Sequence, residues 1–264
     1  LSELITTPAE PTEALTLDVE VTNLAWNGAD IYVTPSSDFK YYYECRTRAN
    51  FDELYGSAEA FYQKVYDGWA SDAASYGYDV AAVASWYTNE GSGVADIGQL
   101  RWSTDYVFAI FGIDAEGNLA TEVIIKEFTT LTPAQSSNEF TITINSFTKS
   151  SVNFTVTPTT DDQYYVTVEK VGTVSGYGPD QDKSYDDLID YLLPEYENQL
   201  SQRLFSGEQT INNSDLGKSV NGFSDYVIVV WGFNNGPTTT VFMSEAFRPA
   251  DPECNGHRRQ KYRQ

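Results

Sequence analysis

Apolar residues recur at every second position over residues 15–25, 29–34 and 39–47, where β-branched and aromatic side chains dominate and turns such as Trp26-Asn27-Gly28 intervene. Such alternation predicts three strands. From Leu54 the period changes. Leu54, Ala58, Phe61, Tyr62, Val65, Tyr66 and Trp69 recur at i, i+4, i+7 and i+8, the stripe of an amphipathic helix. Asn50 with Glu53 has the spacing of a capping box at its start, and a second helical piece is predicted over 79–87. Strands return over 106–113 and 121–130, around the turn Asp114-Ala-Glu-Gly117-Asn118, where a glycine at positive φ suits a hairpin.

The same pattern occurs twice. At an offset of 123 residues, Leu17, Val19, Val21 and Leu24 fall on Phe140, Ile142, Ile144 and Phe147, and Ile31, Val33, Thr34 and Pro35 fall on Phe154, Val156, Thr157 and Pro158. Tyr41 and Tyr42 fall on Tyr164 and Tyr165. After eleven extra residues in the second copy, Asn50-Phe51-Asp52-Glu53-Leu54 aligns with Ser184-Tyr185-Asp186-Asp187-Leu188, and later Tyr106, Gly112 and Phe128 align with Tyr226, Gly232 and Phe247. Self-similarity at a fixed offset marks repeated structural units. The second helical stripe is Leu188, Leu192, Tyr196, Leu200 and Leu204, and Pro194 within it predicts a kink or two short helices. Strands are predicted again over 226–233 and 239–247, around Asn234-Asn-Gly236-Pro.

This gives an N-terminal linker over 1–14, a first module over 15–133 with a helical insert at about 50–88, a second over 134–250 with an insert at about 184–206, and a tail over 251–264. The segment 131–138, Leu-Thr-Pro-Ala-Gln-Ser-Ser-Asn, has linker composition. The expected fold class is mainly β with α insertions, as two tandem β-sandwiches.

The run Leu100-Arg-Trp-Ser-Thr104-Asp-Tyr106-Val-Phe-Ala-Ile-Phe-Gly-Ile-Asp-Ala-Glu-Gly117 resembles the leucine, tyrosine-corner and hairpin run of fibronectin type III and immunoglobulin-like sandwiches. The second copy keeps Tyr226 and stretches the approach from Leu216. Ile31 and Phe154 stand where that family carries a tryptophan on its second strand. The whole arrangement is similar to tandem modules in secreted surface lipoproteins of anaerobic gut bacteria. Those show a Thr-Pro-ended strand, an aromatic strand, an acidic helical insert with a motif like Asp52-Glu53-Leu54, and a Tyr-rich strand with a glycine hairpin. The resemblance covers about 230 of the 264 residues. It implies a cell-envelope address and an adhesive or binding role, not a reaction.

Composition narrows the classes. With 38 acids against 16 bases the net charge is −22, which repels phosphate backbones, so no nucleic-acid partner is expected. Residues 1–133 hold 21 acids and 6 bases, residues 134–254 hold 17 and 6, and the last ten residues hold four bases and no acid. Acidity belongs to both modules, and the basic end reads as a solvated tail. The longest apolar runs, 106–113 and 226–233, are eight residues each, too short for a membrane-spanning helix. The start at Leu1 rather than Met carries the expectation of a removed leader. Residues 1–14 would then tether the protein to an upstream lipid-modified cysteine, in an exported protein of the cell surface, outer membrane or periplasm.

Reaction chemistry finds few supports. The single histidine, His257, lies in the tail, so Cys45 and every serine lack a base to activate them. Scarce His and Cys also argue against zinc, no glycine-rich phosphate loop occurs, and no cofactor or metal is expected. Cys45 and Cys254 are read as two thiols rather than a disulfide. Asp161-Asp162 and Asp180-Gln-Asp182 do not match the EF-hand spacing. The acid pairs Asp52/Glu53 and Asp186/Asp187 fall in a helix's first turn, where carboxylates complement the macrodipole; as paired carboxyls they leave a glycoside hydrolase as an outside alternative.

Aromatic residues crowd the middle of the first module: Tyr41, Tyr42, Tyr43, Tyr55, Tyr62, Tyr66, Trp69, Tyr76, Tyr78, Trp86 and Tyr87. Tyr and Trp combine a flat apolar face with a polar handle, which suits both packing and binding. Trp69, Trp86 and Tyr87 are the first candidates for a ligand surface, and Tyr177, between two glycines in the inserted loop 172–183, is another. The expected function is a non-enzymatic binding or adhesion protein contacting a glycan or an envelope protein. The alternative is a structural spacer or accessory subunit of a surface assembly.

Overall fold

The structure, a computed structural model, describes residues 14–194 and 196–250. The terminal linker up to residue 13, the tail from residue 251, and Cys254 with it lie outside the described residues. The chain divides into two units, Leu1–Leu131 and Thr132–Gln264.

In the first unit the strands are β1 (Leu17–Thr22), β2 (Ala29–Pro35), β3 (Lys40–Thr47), β4 (Asn89–Glu90), β5 (Gly93–Ile97), β6 (Asp105–Ile113) and β7 (Ile124–Thr129). They form two antiparallel sheets, β1-β2-β5 and β4-β3-β6-β7. Between β3 and β4 the chain leaves the sheet for three helices, α1 (Arg48–Leu54), α2 (Ala58–Tyr76) and α3 (Val80–Ala84). Because successive strand side chains point to opposite faces, Leu17, Val19, Ile31, Val33 and Ala95 meet Phe39, Tyr41, Phe108 and Ile110 in the core between the sheets.

The eight-residue apolar run within β6 has a physical reason. Its alternate residues Val107, Ala109, Phe111 and Ile113 face away from the sandwich and are buried under Phe51, Phe61, Trp69, Ala73, Val83 and Ala84 of the helices. A strand covered on both faces reads as continuous hydrophobicity rather than alternation. The unit is therefore three layers, sheet on sheet on helices.

The second unit repeats this order with β8 (Phe140–Phe147), β9 (Val152–Pro158), β10 (Tyr164–Lys170), β11 (Leu204–Phe205), β12 (Gln209–Asn212), β13 (Tyr226–Gly232) and β14 (Phe242–Met243). The sheets are β8-β9-β12 and β11-β10-β13-β14, the same neighbours position for position. Its insert, α4 (Val171–Val174), α5 (Tyr185–Leu192) and α6 (Glu197–Ser201), again lies between the third and fourth strands. Every residue of β13 is buried, and Leu188, Ile189 and Leu192 of α5 are buried with it.

Both units carry the tyrosine corner that the sequence resemblance implied. The Tyr106 hydroxyl accepts a hydrogen bond from the Arg101 backbone N–H (2.9 Å), and the Tyr226 hydroxyl accepts from Asn221 N–H (3.2 Å). Ile31 and Phe154, in the place of the family's tryptophan, are fully buried.

Several local expectations need correction. α1 starts at Arg48, capped by Thr47, whose hydroxyl accepts from the Asn50 N–H; Asn50 is not the cap. The reason is that β3 stays paired to its last residue, Thr47 opposite Tyr106, so the chain passes directly from strand to helix. Asp52 and Glu53 then fall beyond the first turn. The second-copy counterpart does close reciprocally: the Ser184 hydroxyl accepts from Asp187 N–H, and the Asp187 carboxylate accepts from Ser184 N–H (2.8 Å). The stripe divides at Pro194 into the two short helices α5 and α6, as expected there, and only its last residue departs. Leu193 is extended (φ −62°, ψ 128°), as a residue before proline prefers, and Leu204 belongs to β11. The strand expected over 239–247 shrinks to two residues because side-chain hydroxyls take the ladder's place: Thr239 Oγ1 accepts from Gly232 N–H (2.8 Å) and Ser244 Oγ from Ile228 N–H (3.0 Å).

Candidate functional site

The insert of the first unit gathers most of the candidate residues, and its helices fix them in two settings. Ser57 caps α2, its hydroxyl accepting from Ala60 N–H (3.1 Å), and Gly77 ends the helix at φ 75°. Asp79 then caps α3 by accepting from Ala82 N–H (2.7 Å). The end of α2, the turn into α3 and the turn that follows α3 together carry an exposed aromatic row: Tyr76 is 67% exposed, Tyr78 58%, Trp86 52% and Tyr87 48%. Trp86 is its centre, with ring centroids 6.3 Å from Tyr76, 5.5 Å from Tyr78 and 6.5 Å from Tyr87.

Trp69 departs from the expectation of an exposed tryptophan. It is 4% exposed, because the stripe that forms α2 turns it inward, edge-on to Tyr42 at 5.4 Å and beside Phe111 at 5.9 Å. It meets Tyr87 only as a neighbour in the wall of a groove of about 400 Å³ between the outer face of β3 and the helices α1 and α2. Tyr177 belongs to the second unit. It is half-buried, stacked on Tyr191 at 6.3 Å with Lys183 5.2 Å over its ring.

The groove adds Glu44, Arg46 and Lys64, which the sequence pattern did not single out, to the aromatic Tyr42 and Tyr55. Tyr42, Glu44 and Arg46 occupy alternate positions of β3 and so share its outward face. The Glu44 carboxylate accepts from Tyr42 Oη (2.5 Å), from Tyr55 Oη (3.1 Å) and from Arg46 Nε. Burial, and then the Glu44 carboxylate, push the Tyr42 phenol well up, so it stays a donor at neutral pH. Burial and the Glu44 charge raise the Tyr55 phenol likewise. The Glu44 hydrogen bond holds the Arg46 guanidinium charged. The period-two spacing Tyr-x-Glu-x-Arg was the available signal for a shared face.

Larger in volume is a cavity of about 890 Å³ at the end of the first sandwich, with Asp38, Phe39, Lys40, Glu90, Gly91 and Asp114 among its lining residues. Asp114 is spent on its own hairpin, accepting from the Glu116 and Asn118 N–H groups.

One acid of each pair, and Asp162 of the Asp161-Asp162 run, takes a structural role. Asp52 pairs with Arg48 (3.1 Å), Asp187 completes its capping box, and Asp162 accepts from Ser136 and Thr160 hydroxyls (2.8 and 2.9 Å). Among the described residues, no three His, Cys, Asp or Glu side chains are placed to hold a metal ion, and no helix is long and apolar enough to cross a membrane. Burial pushes the Cys45 thiol up to about 12, away from nucleophilic use.

No family model and no curated protein matches the chain. Solved structures do. A two-domain fibronectin type III segment from chicken tenascin matches over 88% of this chain and 97% of its own, at 11% identity and a TM-score of 0.24. The central fibronectin type III array of RIM-binding protein matches over 92% and 72%, at 9% and 0.23. An Escherichia coli alpha-2-macroglobulin segment spanning domains MG0-NIE-MG1 matches over 90% and 72%, at 8% and 0.24. The strand pairing of the chain itself carries the fold: mainly β, two tandem fibronectin type III-like sandwiches, each with a helical insert.

Proposed function

We propose that the protein is a non-enzymatic binding or adhesion protein of the cell envelope, contacting a glycan or a protein partner through the insert of its first unit. One observation carries this reading: three tyrosine rings gathered around Trp86, each of the four about half exposed or more, at the two ends of the short helix α3. Large exposed apolar groups are costly to leave in water, and contiguous ones mark interaction surfaces. Trp and Tyr serve such surfaces best, because a ring gives contact area at little cost in side-chain entropy while the hydroxyl or indole N–H still finds a polar partner. Sandwich folds leave function to such grafted sites. The exported, lipid-anchored setting belongs to the same proposal and rests on the linker-like composition of residues 1–14.

The test is titration of the full chain with a glycan panel and with envelope extract, read by tryptophan fluorescence and by capture. Binding that Trp86→Ala weakens at least about tenfold is expected, the loss typical of an interface anchor. A flat response to every ligand, or binding indifferent to Trp86→Ala, overturns the reading and leaves the spacer role.

A further inference from the structure

We propose that the groove between β3 and the helices α1 and α2 binds a neutral saccharide segment, as an extension of the aromatic row; this rests on the binding reading above. A volume of about 400 Å³ lies in the range of small-ligand sites. The chemistry of the lining selects the ligand class. Arg46 and Lys64 bring two positive charges, Glu44 and Asp72 two negative ones, so the groove is balanced within a chain of net charge −22. An anionic ligand would meet Glu44 and Asp72 in a field already negative, and a cationic one would meet Arg46 and Lys64. A neutral polyol meets no like charge. Each of its hydroxyls both donates and accepts, and the groove supplies carboxylates to accept and cations to donate.

The rings supply the other half of sugar recognition. A pyranose presents a C–H face that packs on an aromatic plane, and the half-buried Tyr55 and the exposed Tyr87 line the groove, with the buried Trp69 behind its wall. Arg46 and Lys64 each lie 5.9 Å from the Tyr55 ring centroid, so the cations and the ring form one wall. Lys64 also donates to the Leu54 carbonyl (2.7 Å), which pins α2 to the end of α1. Three donors hold Glu44, so the floor is set before a ligand arrives. Tyr87 belongs both to the groove and to the row through its contact with Trp86, making the two one surface. The second unit lacks this opening. The residues aligned with Tyr42 and Glu44, namely Tyr165 and Thr167, are fully buried. The Tyr165 hydroxyl is closed off by Leu192 O and Arg203 Nη1.

Isothermal titration of the full chain tests this with neutral trisaccharides of glucose, mannose, galactose and xylose, against the anionic trigalacturonate and the cationic glucosamine trisaccharide. At least one neutral sugar should bind, and both charged ones should bind at least about tenfold more weakly. Lys64→Met, at an exposed position, and Arg46→Met should each weaken the neutral sugar by about tenfold, as for a lost hydrogen bond to a charged group, with the urea midpoint of each variant checking that α2 keeps its seat. Preference for a charged sugar, or no saccharide binding at all, overturns the groove proposal. Saccharide binding lost in Trp86→Ala but unchanged in Lys64→Met and Arg46→Met also overturns it, while the binding role of the row stands. A protein partner captured through Trp86 with no sugar bound gives that same separation.

Discussion

The two units place the same seven strands in the same order and then treat the outer face of the four-stranded sheet differently. In the first, a 19-residue helix capped at both ends crosses that face and leaves a groove floored by Tyr42, Glu44 and Arg46. In the second, Pro194 breaks the insert into short helices, and the face is sealed by Tyr165 stacked on Trp231 at 4.2 Å. Each unit also sets an ionic cluster beside its insert, from different residues. Glu44 serves Tyr42, Tyr55 and Arg46, whereas Glu169 pairs with Lys218 (2.5 Å) and accepts from the Thr167 hydroxyl (2.7 Å). The comparison teaches that the sandwich is the constant and the insert the variable, so function belongs on the insert.

Breaking the insert's seat gives the largest effect. Phe61 in the first unit and Leu188 in the second are both fully buried between helix and sheet. Phe61→Ala should cost about 3–5 kcal/mol and Leu188→Ala about 2–5 kcal/mol, read as the shift of the corresponding transition in urea. Loss of one transition with the other unchanged would show each insert stabilising its own sandwich. Equal loss in both would break the division into two units.

Next come two glycines that tie the units together as copies. A Cβ on Gly112 would stand 2.5 Å from Phe39 Cε2 and 2.7 Å from Thr121 Cγ2, and one on Gly232 would stand 2.5 Å from Thr238 Oγ1 and 2.8 Å from Thr239 Cγ2. Gly112→Ala and Gly232→Ala should each destabilise by about 1–3 kcal/mol through overpacking. A neutral outcome at either would mean that the hairpin there gives way more easily than its copy. Smaller again are the caps. Ser184→Ala removes the hydroxyl half of a reciprocal box and Thr47→Ala a single long bond (3.3 Å), so the former should cost about 1 kcal/mol and the latter less, by urea midpoint.

Alternation and the offset repeat made β1, β2, β3, β6, β8, β9, β10 and β13 legible in the sequence, because the inward residues of each unit's four strands face that unit's own core. The strands that went unread are those whose identity comes from their partners. Asn89-Glu90 and Leu204-Phe205 are two residues long, and Gly93-Val-Ala-Asp-Ile97 has little side chain to alternate, yet it pairs with β2 along its whole length. The site divides in the same way. The exposed row was readable as aromatic density, and Trp86 and Tyr87 were named from it. The helical stripe that predicted α2 already sent Trp69 inward. The groove was hidden because Tyr55 and Lys64 reach Glu44 and Arg46 only after α1 and α2 fold back over the strand.

Cys45 sharpens the distinction between buried and accessible chemistry in the first unit. Its thiol lies near 12 when folded, through burial, and near 8.5 in an unfolded chain. A raised folded value favours the neutral thiol, so its contribution to stability is complete below about pH 8.5 and falls away as pH climbs toward the folded value. Iodoacetamide at pH 8 should therefore label Cys45 slowly in the native chain and readily in urea. Rapid native labelling would place the β3 edge in exchange with an open form.

The smallest change in stability is expected where binding should change most. Trp86 and Tyr87 are 52% and 48% exposed, and substitution at such surface positions shifts stability by about ±0.5 kcal/mol. A residue whose truncation leaves the urea transition in place while ligand affinity drops is held by its chain for a partner rather than for its own core. If Trp86→Ala instead lowered stability as much as Phe61→Ala, the row would be packing for the insert. The asymmetry between the units would then be one of architecture alone. Applying both measurements to one preparation of each variant separates these outcomes, since unfolding and ligand titration then read the same molecules.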